Sequence, residues 1–186
     1  MKKCNDTFVD EGIEALPNNI KSFIYNSSLK IEIVGLIPNA SKDCYGYIKL
    51  DKNLILIKKR RDKYSLIRTL FHKIGHYIDY SMAHEQYIFF SQIDKDFKTA
   101  WAIDKRAFNK LFKFKNAEGQ LDNGYIDEPE AFAYIFAYYM LVKLHRTGKH
   151  KRNKNNIWLF AKKVQNKCPN LWREIDIFVK NYVIER

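Results

Sequence analysis

Cysteine, glycine and long apolar runs are all scarce in this chain. The three cysteines, Cys4, Cys44 and Cys168, are odd in number and far apart, a pattern that fits neither a disulfide framework nor a cysteine-based zinc site. With seven glycines among 186 residues, no internal repeat and no low-complexity linker, the expectation is one domain spanning 1–186. No apolar run is long enough to span a bilayer. The basic start MKKCNDTFVDEG is followed by no apolar segment of the kind a secretory signal carries. As encoded, then, an intracellular protein without a membrane segment is expected, unless it is exported by a route the sequence does not display. Acid is also in short supply, with 21 Asp and Glu against 33 Lys and Arg and a net charge of +12. The densest basic runs, KKRR at 58–61 and GKHKRNK at 148–154, read as solvated faces. Their charge would suit phosphate or an acidic protein. No nucleic-acid motif or aromatic stacking platform accompanies them, so nucleic acid is not an expected partner.

What is present is a hydrophobic share of 46% and an aromatic share of 15%, enough for a substantial core. Residues 8–28 suggest helix, interrupted or restarted near Pro17. LKIEIVGLI alternates as a strand does until Pro38, and YGYIKL and NLILIKK flank Asp51 and Lys52 as a hairpin would. From Asp62 the periodicity becomes helical, with Leu66, Leu70, Ile74 and Ile78 on one stripe up to Tyr80. A charged amphipathic helix is predicted over 94–114, a loop over NAEGQLDNGYID, and a helix over 128–147, opened by Pro129 and closed by Gly148. Two further helices meet at Pro169. The order is α+β: a small N-terminal sheet followed by a helical bundle.

The chemistry concentrates in TLFHKIGHYIDY, residues 69–80. His72 and His76 are one helical turn apart, so both rings leave one face, as a tetrahedral metal requires of two ligands on a single element. Asp79 falls on the same face, where a carboxylate could accept the second ring N–H of a ligand histidine. Two histidines at this spacing also arise on half-buried helices that hold no metal. The strong form of the motif is H-E-x-x-H, and Lys73 occupies the place of its glutamate. Downstream, EPEAFAYIFAYYM opens with Glu130, followed at helical spacing by Ala133, Tyr134, Ala137 and Leu141. Small residues there would let this helix approach the histidines closely enough for Glu130 to complete a two-histidine, one-carboxylate set. An acid at a helix N-terminus is equally explained by the helix dipole.

The succession LPNNIKSFIYNSSLKIEIV, YGYIKLDKNLILI, TLFHKIGHYID, EPEAFAYIFAYY and CPNLWREIDIFV resembles the catalytic domain of the anthrax lethal factor and Pro-Pro endopeptidase family of zinc metallopeptidases. The resemblance implies a zincin-like fold, bound zinc and a peptide or protein substrate. It matches His72, His76 and Glu130 to the metal ligands. The tyrosine that steadies the oxyanion in that family has Tyr125 as its nearest counterpart, at a shortened spacing, and the second glutamate of the family helix corresponds to Tyr134. The general base corresponds to Lys73. Loss of a general base typically costs about 10²- to 10⁴-fold in rate, and an ammonium beside a dication also raises the electrostatic cost of holding the ion. The expectation is a metallopeptidase-like protein of feeble or absent activity. The alternative is a non-catalytic peptide binder, with zinc or with a Lys73 salt bridge to Glu130 or Glu128 in its place. Oligomeric state is not legible.

Overall fold

A computed structural model of the chain describes residues 7–40, 44–83, 88–112, 127–146 and 157–181. Two short helices come first, α1 (Thr7–Glu14) and α2 (Asn18–Asn26), with the break at Pro17. Next is strand β1 (Lys30–Val34), then a hairpin of β2 (Gly46–Lys49) and β3 (Leu54–Lys58). The hairpin turns through a single 3-10 turn over Leu50–Lys52 and through Asn53, whose φ of 47° is left-handed, a conformation asparagine adopts more readily than most residues. The sheet order is β1-β3-β2, with β1 parallel and β2 antiparallel to the central β3. One expectation needs shortening. β1 stops at Val34 and does not continue to Pro38, because its register on β3 runs out where Val34 meets Lys58. Leu36 beyond it is exposed.

The helical part consists of α3 (Lys63–Met82), α4 (Phe90–Ile93), α5 (Lys95–Leu111), α6 (Glu128–Arg146), α7 (Ile157–Lys167) and α8 (Pro169–Asn181). Three of these starts are fixed by aspartates that satisfy otherwise unpaired backbone N–H groups. Asp62 accepts from Ser65 N at 2.9 Å, Asp94 from Phe97 N at 2.7 Å and Asp127 from Glu130 N at 3.1 Å. A fourth aspartate, Asp104 of α5, is buried and reaches across to α8, accepting from Leu171 N and from the Asn170 amide, each at 2.9 Å. α5 ends at Leu111, short of the predicted Phe114. The short α4 has no counterpart among the elements expected from the sequence.

Helix α6 is the centre of the bundle. Ala131, Phe132, Ala133, Ile135, Phe136, Ala137 and Leu141 are all fully buried, so the helix is apolar nearly all round, as a helix enclosed by others must be. α3 lies between α6 and the sheet. Its predicted stripe of Leu66, Leu70, Ile74 and Ile78 is fully buried. The two helices run antiparallel. Arg68 donates to Tyr138 OH, the rings of His72 and Tyr134 pack together, and His76 meets Glu130. They approach closely at Gly75, where a Cβ would stand 2.9 Å from the Ala133 Cα. Only a residue without a side chain permits that approach. Among the described residues, Cys44 and Cys168 are free thiols, and no helix is long and apolar enough to cross a membrane.

Candidate metal centre

His72 and His76 leave α3 toward the first turn of α6, where Glu130 is the third residue and Asp127 is the cap that fixes that turn. The His72 and His76 Nε2 atoms are 3.2 Å apart. Glu130 places Oε1 3.2 Å from His76 Nε2 and Oε2 3.5 Å from His72 Nε2. A tetrahedral ion held about 2.0 to 2.1 Å from nitrogen and oxygen ligands sets those atoms about 3.4 Å apart. The three observed separations, those to Glu130 made by its two different oxygens, are close to that value. Ring N–H groups on the two histidines could serve the two carboxylate oxygens but would then face each other across 3.2 Å; a divalent cation between them would relieve that contact. These residues could therefore hold a metal ion.

The electrostatics agree with the geometry. Burial, then the charges of His76, Lys73 and Arg68, hold the His72 imidazole well below its ordinary pKa, with the Ala133 carbonyl acting weakly the other way. Burial and the neighbouring charges both favour the neutral imidazole at His72. Burial pushes Glu130 upward, but the hydrogen bond from His76 and the charges of His76 and Lys73 outweigh it and leave the carboxyl below its usual range. Neutral histidine and ionised carboxylate are the forms that bind metal. The histidine side chains are 13% and 9% exposed and that of Glu130 is 38% exposed, so the cluster opens to solvent on the Glu130 side. A structural zinc site is closed, whereas a site that receives a ligand keeps one position open.

Lys73 leaves α3 on the side of the sheet. Its stem lies on Gly46 of β2, where a Cβ would come 3.1 Å from Lys73 Cγ and 3.3 Å from Cε. Burial lowers its pKa, while Glu130 and Cys44 act to raise it. Among the described residues it forms no ion pair within 4 Å. The alternative of a Lys73 salt bridge to Glu130 or Glu128 is not formed among the described residues; the Glu130 carboxylate turns to the histidines.

Asp79 requires a correction. It is fully buried, but its oxygens accept from Ser91 N at 2.7 Å and Ser91 Oγ at 2.8 Å. It anchors α4 to α3 and does not orient a histidine. The reason is local: α4 presents two donors of one residue directly over it. Burial raises its pKa to about 7, against the two Ser91 hydrogen bonds and with Asp127 adding to the rise. The Nδ1 of His72 is buried without a hydrogen bond of regular geometry. Tyr134 packs its ring on His72 at 4.4 Å between centroids, and Phe89 faces His76 at 6.5 Å. Together they wall the cluster with aromatic surface. Tyr125 lies outside the described residues.

Sequence reasoning missed Gly75, Gly46, Phe89 and Ser91. The two glycines carried a signal, since a glycine inside a helix or strand weakens it and so marks a close approach. Phe89 and Ser91 carried none, because α4 is too short to show periodicity. No family model matches the chain, and no curated protein or solved structure matches it.

Proposed function

We propose that this is a zincin-like, zinc-binding protein of the lethal factor type, whose cleft holds a peptide and whose peptidase activity is feeble or absent. The observation that carries the reading is the convergence of His72 Nε2 and His76 Nε2, 3.2 Å apart, on the Glu130 carboxylate, whose Oε1 lies 3.2 Å from His76 Nε2 and whose Oε2 lies 3.5 Å from His72 Nε2. Bound there, zinc would supply a Lewis acid able to polarise a peptide carbonyl. The chain's own residues supply the rest unevenly. His72 and Glu130 are held in ligand protonation states, and Tyr134 and Phe89 exclude water from two sides. β2 is an edge strand, pairing among the described residues with β3 alone, and so offers backbone groups to an extended peptide added as a further strand. Lys73 lies between that edge and the cluster. An ammonium has no lone pair with which to take a proton, so the general-base role is unfilled at this position.

The test is Lys73→Glu. Assayed against a peptide library with saturating zinc, this variant is expected to cleave at least about 10²-fold faster than the parent, the lower end of what a positioned general base contributes. The cleavage should disappear with a chelator. A reverted variant that binds zinc but cleaves no faster than the parent would remove the peptidase lineage from the reading. Glu128 could then act as an alternative base only if the parent itself showed chelator-sensitive cleavage.

A further inference from the structure

The substitution at position 73 alters the charge of the whole cleft, not only its proton chemistry. A divalent ion offset by the single carboxylate of Glu130 leaves one positive charge, and the Lys73 ammonium adds another. With glutamate at position 73 the same count would come to neutrality. The ion's charge is the largest in such a site and governs what binds beside it. Lys73 is also held in place: its stem lies along Gly46 of β2, and any side chain on that glycine would collide with it. Its charge is felt by both Glu130 and His72. Among the described residues no carboxylate lies within ion-pairing distance of it. A partly buried ammonium so placed, on the sheet side of a cluster that opens to solvent, calls for an anion from outside.

We propose that Lys73 and the ion held by His72, His76 and Glu130 form a receptor for a carboxylate, so that the cleft takes peptides presenting an acid rather than a neutral peptide bond. This rests on the metal-site reading and extends it to the ligand. A carboxylate has two oxygens and can face both positive centres at once, one through each. A peptide laid along β2 would bring either its C-terminal carboxylate or an Asp or Glu side chain to that point. The net charge of +12 acts in the same direction at long range, drawing anionic ligands toward the protein.

The experiment uses the full chain loaded with Co²⁺, whose visible spectrum reports on its ligands. Three probes are titrated: acetyl-trialanine as the free acid, the same peptide as the amide, and acetyl-Ala-Glu-Ala amide. The free acid or the glutamyl amide is expected to bind at least about tenfold more tightly than the plain amide, the scale of a hydrogen bond to a charged group. Which of the two does so identifies the source of the carboxylate. In Lys73→Met the preference should shrink about tenfold while Co²⁺ stoichiometry is unchanged. Stoichiometric Co²⁺ with all three probes binding alike overturns the inference and leaves the metal site standing, as does a preference that survives Lys73→Met undiminished. Failure to take up Co²⁺ overturns both. The comparison of acid and amide on the unaltered protein needs no variant to fold.

Discussion

Asp79 shows how a single side chain near a candidate metal site can have a different task from the one its spacing suggests. It is on the histidine face of α3, yet both oxygens are given to Ser91, and burial carries its pKa from 3.8 to about 7. A carboxyl whose folded pKa lies above its unfolded one takes up a proton on folding between those values. Its contribution is therefore most favourable below about pH 4 and is lost as pH rises through about 7. Asparagine at this position keeps an acceptor for Ser91 N and removes the ionisation. Asp79→Asn is expected to gain stability relative to the parent between about pH 5 and pH 8, by on the order of a few kcal/mol. Urea unfolding of both proteins across that range measures it; parallel stability curves would show that Asp79 ionises freely in the fold.

Between elements, the cluster depends on how closely α3 and α6 approach. Gly75 provides the contact point, and a methyl group there would meet the Ala133 Cα at 2.9 Å and the Phe136 ring at 3.3 Å. Gly75→Ala brings a helix-propensity gain of about 1 kcal/mol. Against it stands overpacking of about 1 to 3 kcal/mol in a core without slack. Because the obstructing atom is backbone, overpacking is expected to win, with a lower urea midpoint and at least about tenfold weaker zinc binding as His76 and Glu130 are driven apart, roughly 1.4 kcal/mol of binding energy. Unchanged zinc affinity in a destabilised variant would mean that the ligands do not depend on this helix spacing. Much of this level was legible in the sequence. The i, i+4 histidines, the alanines of the Glu130 helix and the Pro-marked helix starts each follow from a local rule. The destination of Asp79, the seat of Lys73 on Gly46 and the short α4 were not, because each depends on which element lies overhead, and no periodicity within a segment encodes its neighbours.

For the molecule as a whole, the α+β order was readable because the hydrophobic period passes from helical spacing before residue 28 to strand alternation up to about residue 58 and back to helical spacing from Asp62. The parallel pairing of β1 with β3 was not, since β2 intervenes in sequence but lies at the edge. The cluster joins α3 to α6, the two central helices, so an ion there would tie the bundle together, and metal should be linked to global stability. Zinc at about 100 times its dissociation constant is expected to add about 2.7 kcal/mol, or roughly 5 to 10 °C in Tm for a chain of this size. A chelator should reverse the gain, as calorimetry would show. The most direct measurement is the zinc content of untagged protein, saturated with zinc, dialysed and analysed for the element, beside His76→Ala treated alike. One zinc per chain in the parent and none in the variant is the expected result; a parent that emerges free of zinc would contradict the metal centre on which the rest depends.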